Sequence, residues 1–192
     1  RHTRYWLVTG VRRVLFRSSL GRVPCLAEQR VELQAEVSVI AARGIDGDLA
    51  VYPLCGNEHC DGILVRSVAP ADVDPKLGRQ AVEWTRALIT ELDYVGVLAL
   101  ELFVTPDGLL GNEFAPRVHN TGHWTIEGAA TSQFENHLRA ILGRELGPTE
   151  ARGTSIMRNL IGVIPEADAR PGGDGVAWHV YGKPERPGRK LG

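Results

Sequence analysis

Two glutamates, Glu101 and Glu113, stand on either side of the tripeptide Pro106-Asp107-Gly108. Proline suits the first central position of a type I turn, aspartate the second, and glycine the left-handed position that follows. A three-residue loop of that kind pairs Thr105 with Leu109. Counting back along both strands then sets Glu101 opposite Glu113 on one face, with Cβ atoms about 4.5–5.5 Å apart. Leu100, Leu102 and Phe103 flank the first acid, and burying a charged, unpaired carboxylate among them costs several kcal/mol. A shared proton, two basic partners or a divalent cation would each offset that cost. Magnesium, held by one or two carboxylates together with substrate phosphates, suits the pair. Asn112 adds a neutral polar group beside it. The hairpin alone leaves open a solvated sheet face carrying two acids; the apolar flanks count against that.

The hairpin runs into APRVHNTGHW, residues 115–124, where Arg117, His119, Asn120, Thr121, His123 and Trp124 crowd around a glycine. A loop dense in hydrogen-bonding groups beside a metal site is where a polar substrate would be held. Either histidine alone reads as a satisfied core residue; Arg117 with His119 next to the carboxylates reads as functional. Near the end, Lys183, Arg186, Arg189 and Lys190 cluster among Pro184, Pro187 and Gly188. That is a solvated charged face or a shaped loop able to hold a phosphate. Cys55, His59 and Cys60 lie close together, but a second pair of zinc ligands is missing, so small buried thiols in a turn are the better reading.

The elements that position these residues follow from periodicity. Val37, Val39 and Ala41 alternate with Ser38, Ile40 and Ala42 in a mostly buried strand. Asp46-Gly47 turns the chain into a returning strand at 49–53, and 63–68 is a further strand. Asp74-Pro75 reads as an N-cap followed by proline at the first helical position. Leu77, Ala81, Trp84, Leu88 and Leu92 then mark the inner face of a helix over 75–92. Residues 95–104 are apolar on both faces except at Glu101, and 109–114 is the returning strand. Ser132 with Glu135 forms a capping box for a helix that ends at Gly143. After a Pro/Gly-rich link, 156–164 and 176–181 read as strands of a second unit. Residues 1–19 suggest no fold and resemble a foreign leader; 20–147 and 148–192 are the two expected domains.

The totals set bounds. With 192 residues, 43% hydrophobic and 23% charged, the chain holds one domain or two small ones. A net charge of -1 gives no general pull toward nucleic acid or an anionic membrane. No apolar run is long enough to cross a bilayer, and no secretory signal pattern opens the chain. Three cysteines, an odd count in a chain of this size, suggest a reducing cytoplasm.

Taken together these motifs resemble one family. Residues 94–143, YVGVLALELFVTPDGLLGNEFAPRVHNTGHWTIEGAATSQFENHLRAILG, are similar to the hallmark region of the carboxyaminoimidazole ribonucleotide synthases, ATP-grasp enzymes of bacterial and fungal purine synthesis. CLAEQRVELQAEVSVIAARG, YPLCGNEHCDGIL and the RPGRK loop match as well, from about residue 20 to the end. The resemblance implies an α+β fold: an ATP-grasp large subdomain, its mixed or antiparallel sheet carrying helices on one face, and the start of a small carboxyl-terminal domain. It implies that ATP phosphorylates bicarbonate and that the carboxyl passes to the amine of 5-aminoimidazole ribonucleotide, with release of ADP and phosphate. Glu101 and Glu113 match magnesium ligands (manganese would substitute), with Asn112 near the phosphates. Glu28, Gln29, Arg30 and Val31 match the hinge that meets adenine, Glu36 the carboxylate on the ribose, and His59 a nucleotide-site histidine. Arg117 and His119 match groups for bicarbonate and the reactive intermediate, with Asn120 beside them. Lys183 and Arg189 match groups for the nucleotide substrate and its phosphate. A homodimer is implied.

The family also uses lysines and a glycine-rich loop from a lid ahead of Cys25, yet residues 1–24 hold no lysine and no run of glycines. The chain is therefore expected to hold the metal-binding half of a site and to be inactive alone. The alternatives are another ATP-grasp carboxylase, against which HNTGHW speaks, and a non-catalytic nucleotide-binding or assembly module.

Overall fold

The computed structural model describes residues 30–192. The chain divides into two units after Glu32, of which Leu33–Gly192 is the larger and is compact. Within the larger unit seven strands make one antiparallel sheet: β1 (Ala35–Arg43), β2 (Leu49–Val51), β3 (Cys55–Cys60), β4 (Ile63–Ala69), β5 (Gly96–Thr105), β6 (Gly108–Ala115) and β7 (Ser155–Arg158). The order is β6-β5-β1-β3-β4-β7, with β2 paired to β1. Three helices complete the unit: α1 (Pro75–Glu91), α2 (Thr125–Gly128) and α3 (Gln133–Ile141).

The central strands β1 and β5 are buried on both faces, as their sequences suggest. Val37, Val39 and Ala41 of β1 join Leu98, Leu100, Leu102 and Val104 of β5 in one core, closed by Ala81 and Ile89 of α1. Ile40 and Ala42 join Val97 and Ala99 in a second core on the opposite face, with Tyr52, Cys55 and Trp124. The sheet thus has a purely apolar face under α1 and a second face where polar groups begin as soon as the core ends. The helices divide between the faces instead of sharing one. On the second face, Asn136 of α3 donates to the Tyr52 hydroxyl at 2.8 Å, and His137 Nδ1 accepts from Val97 N–H at 3.0 Å.

Helix α1 begins as read: the Asp74 carboxylate accepts from Lys76 N–H at 2.7 Å, with Pro75 in the first turn. Of its expected inner residues, Ala81 is buried and Leu77 and Leu88 pack against the core, joined by Thr85 and Ile89, whereas Trp84 and Leu92 are 38% and 47% exposed. A threonine can take the inner row because its hydroxyl donates to Ala81 O, 2.8 Å away, and so needs no outside partner. Helix α3 has half of the expected capping box. Ser132 Oγ accepts from Glu135 N–H at 3.1 Å, while the Glu135 carboxylate turns to Arg139 at 2.7 Å.

The carboxyl-terminal stretch departs most from the reading. The strand expected at 156–164 is β7, ending at Arg158 and pairing with β4 in the main sheet. Residues 176–181 form no strand. Glycines at 172, 173, 175 and 182 surround them, and Val176 and Val180 are exposed, so alternation here has no core to face. The last residues return to the sheet through a bridge between Ile161 and Lys190 and through Leu191 N–H to Leu160 O at 2.7 Å. Leu191 is fully buried.

Asn136 joins three parts of the second face. Its side chain donates to the Tyr52 hydroxyl and to Gly147 O, and accepts from Gly147 N–H at 2.8 Å. Asn136→Ala is expected to lower stability by about 2–4 kcal/mol, since it strands several buried polar groups at once. Urea denaturation with an unchanged m-value would check this.

Candidate functional site

The sheet's second face carries a row of polar residues past its apolar core. Side chains two apart on a strand share a face, which places Glu36 with Ser38 on β1 and Glu101 with Phe103 on β5. Across the strands Ser38 pairs with Glu101 and with Cys55, Glu36 with Asn57, and Asn57 with Ser67.

Glu101 pairs with Glu113, as the sequence indicates, but by a different route. Thr105 pairs with Gly108, not with Leu109, and this tighter register continues to Leu102 opposite Gly111. It would set Glu113 opposite Leu100, on the α1 face. Between Leu102 and Glu101 the register shifts, leaving Asn112 as an extra residue on β6. This bulge returns Glu113 to the face of Glu101. Asn112 itself turns toward the acids and donates to Glu101 Oε2 at 3.4 Å.

Glu101 is buried and Glu113 exposed. Burial first, then the charge of Glu113, holds the Glu101 carboxyl above the usual carboxylate range, against the pull of His59 and Lys190. His119 completes a three-residue group: one oxygen from each acid and one ring nitrogen lie within 4.8 Å of one another. Its Nδ1 is 3.7 Å from Glu101 Oε1 and 2.9 Å from Thr121 Oγ1. Burial, with Arg117 and Lys190 nearby, pushes its pKa down to about 4, so the ring is neutral at pH 7.

The loop that presents His119 is tied down at the backbone. Gln133, fully buried, accepts from His119 N–H at 2.9 Å and donates to His119 O at 2.6 Å. A side chain at Gly122 would collide with that amide, so glycine there permits the clamp. Thr121 is held in turn by the Cys55 thiol, which donates to Thr121 O at 3.1 Å and lies 3.0 Å from Ser38 Oγ. Asn57 donates to Ser38 Oγ, and Ser67 to Asn57 Oδ1. Cys55 is thus a buried structural thiol, on a strand and not in a turn, while Cys60 is exposed.

Of the other residues singled out in the sequence, Glu36 Oε2 and His59 Nδ1 are 2.6 Å apart. Arg117 is exposed, and Asn120 donates to Asn159 Oδ1 at 3.0 Å. Lys183 lies over the Tyr181 ring, 5.0 Å from its centroid, and Arg189 donates to Pro184 O. Arg30 and Val31 are irregular chain in the smaller unit; Glu28 and Gln29 lie outside the described residues. In the basic cluster it is Lys190 whose charge acts on Glu101, and burial pushes its pKa down. Nothing in composition separates Lys190 from its neighbours; its bridge to Ile161 does. Gln133 was visible only as part of a motif, because a polar residue in the first turn of a helix ordinarily faces water.

The fit of a divalent cation can be judged from these residues. A buried carboxylate with raised pKa, a second acid opposite and a neutral imidazole have a deficit of positive charge that Mg²⁺ would fill.

Comparison with known proteins agrees with this architecture. The sequence matches a model of the ATP-grasp domain over residues 11–134 and one of the phosphoribosylaminoimidazole carboxylase C-terminal domain over residues 155–192. The chain belongs to the ATP-grasp family. Within it, the similar proteins are the N5-carboxyaminoimidazole ribonucleotide synthases. That of Pseudomonas aeruginosa is 47% identical over 175 residues, 91% of this chain and 48% of the relative. The crystal structure of the Thermus thermophilus synthetase superposes with a TM-score of 0.81 at 53% identity, covering 84% of this chain and 45% of that one. The Aspergillus clavatus enzyme, in complex with ADP and 5-aminoimidazole ribonucleotide, superposes with a TM-score of 0.76 at 34% identity over 84% of this chain and 46% of that one. The chain spans about half the length of the relatives it matches. The resemblance read from the hallmark residues is therefore borne out.

Burial also shifts His123 from 6.5 to about 4, as it does His119. Below pH 6.5 the unfolded chain takes up protons that the folded chain refuses. The two rings contribute stability that is complete above pH 6.5 and is lost as the pH falls toward 4. Between pH 7 and 5 the loss should be about 1–2 kcal/mol per ring. The double variant His119→Asn, His123→Asn should show a correspondingly flatter stability–pH profile in urea denaturation.

Proposed function

We propose that this chain carries the metal-binding half of the active site of an N5-carboxyaminoimidazole ribonucleotide synthase, which uses ATP to join bicarbonate to the amine of 5-aminoimidazole ribonucleotide. The observation that supports this best is the Glu101–Glu113 pair, brought to one face by the Asn112 bulge and set beside His119.

The roles follow from chemistry. Phosphoryl transfer asks a protein for position and for positive charge near the transferring group. Glu101 and Glu113 would hold Mg²⁺ (or Mn²⁺), which when bound offsets phosphate charge. Asn112, fixed by the bulge, borders the phosphates. Glu36, with His59 against it, takes the ribose hydroxyls. Arg117, exposed at the mouth of the site, supplies positive charge for bicarbonate and the carboxyphosphate formed from it. His119, neutral and rigid, hydrogen-bonds that intermediate without adding a charge that would compete with the cation. Asn120 supports the same loop. Lys183, Arg189 and, from its position, Lys190 hold the phosphate of the nucleotide substrate. A carboxyphosphate is short-lived in water, so the pocket must be closed during turnover.

The same reading places the protein in the cytoplasm as a homodimer. No described helix is long and apolar enough to cross a membrane. The boundary near residue 147 separates the ATP-grasp part from the start of the carboxyl-terminal domain, a division supported by the two matched models.

Saturating Mg²⁺ and ADP should raise the melting temperature of the purified chain by about 5–10 °C, the mass-action stabilisation for ligand near a hundredfold above Kd. The double variant Glu101→Gln, Glu113→Gln should show no such rise, while melting at the same or a higher temperature without ligand. A parent with no response, or a variant that responds equally, would overturn the assignment.

A further inference from the structure

The two acids and His119 present an unequal donor set. Glu101 is buried on a central strand. His119 is buried too, with its backbone clamped on both sides by Gln133 and its ring against Thr121. Glu113 is exposed on the terminal strand of the described sheet. Two donors thus stand on fixed backbones and one can adjust, and the His119 ring has only to turn from Thr121 for its Nδ1 to reach an ion. The His119 Nδ1 to Glu101 Oε1 distance is 3.7 Å. Around an ion with bonds of about 2.1 Å, adjacent donors lie about 3.0–3.4 Å apart and opposite donors about 4.2 Å. The fixed pair lies between those two separations, so a small turn of the Glu101 carboxylate would bring it to the adjacent one, and a rotamer change at Glu113 would bring in the third atom from within 4.8 Å.

Oxygen-seeking Mg²⁺ has little use for an imidazole and keeps its waters. Zn²⁺ and Co²⁺ do not share that preference and take imidazole nitrogen readily. We propose that this site binds Zn²⁺ or Co²⁺ through three side chains, Glu101, Glu113 and His119, whereas Mg²⁺ is held by the two carboxylates alone. The inference deepens the metal–nucleotide reading above and rests on it for the Mg²⁺ half. The nitrogen lone pair engaged by the transition ion is the one now facing the Thr121 hydroxyl. An ion of this class would thus bind more tightly than Mg²⁺ and withdraw His119 from the substrate, making it an inhibitor of the site and not a substitute cofactor.

The test is binding of Zn²⁺ by chelator competition, and of Mg²⁺ by calorimetry, to the parent chain and to His119→Ala. Zn²⁺ affinity should fall at least about tenfold in the variant, with Mg²⁺ affinity unchanged within about twofold. In the parent chain labelled with ¹⁵N-histidine, Zn²⁺ should shift the His119 ring resonances and Mg²⁺ should not. That measurement decides the matter alone if His119→Ala fails to fold. Equal Zn²⁺ affinity in both proteins, or Zn²⁺ binding that moves the rings of His59 or His179 and leaves His119 unmoved, would overturn the proposal. If Mg²⁺ and ADP fail to stabilise the chain while the Zn²⁺ result holds, the nucleotide reading falls and the three-ligand site stands.

Discussion

The carboxylate of Glu101 is the group around which the second face of the sheet is built. It sits on one of the two strands that are buried on both sides, with a second acid across the ladder. Two like charges in that setting are intolerable without compensation. The compensation is spread over several elements: Asn112 donates from the bulge, Lys190 brings charge from the end of the chain, and His119 approaches from the loop after β6. None of these neutralises the pair outright. Among the described residues the site is short of positive charge, a property useful for capturing a cation with its phosphates and costly for stability otherwise.

Rigidity is supplied from behind the site. The Gln133 amide fixes the His119 backbone, and a line of small buried polar groups (Ser67, Asn57, Ser38, Cys55) reaches Thr121 across β4, β3 and β1. Each member is satisfied by the next, which is the condition under which a buried polar network orders a structure instead of weakening it. The carboxyl-terminal stretch closes against the same loop: the Tyr181 hydroxyl meets His123 Nδ1 at 3.0 Å, and His179 Nε2 meets Glu127 at 2.7 Å. Residues read in the sequence as a separate unit are thus fastened to the hallmark loop by side chains, with very little regular structure of their own.

Much of this was legible in the residues. The alternation in β1, the capped start of α1, the turn at Pro106-Asp107 and the double-sided burial of β5 are local signals that tertiary packing reinforced. What failed to show did so for physical reasons. Thr85 was missed from the inner row of α1, because a threonine that satisfies itself looks polar in sequence. The strand at 176–181 had the right alternation but no core to bury it. Within the site the acids and the histidine were evident from residue type, while Lys190 and Gln133 were not. Their importance comes from long-range placement, and sequence spacing carries no trace of it.

The bulge at Asn112 has a further consequence. A pleated ladder counts residues modulo two, and β6 changes that count once, between its turn and its acid. Loss of one residue from 109 to 112 would remove the bulge, and the regular register would then set the acid opposite Glu101 all the same. Loss of two would set it opposite Leu102, on the helix-covered face. An unbulged hairpin one residue shorter could thus oppose the same two acids. What the extra residue adds is the amide of Asn112, lodged beside a carboxylate that a plain ladder would leave without it.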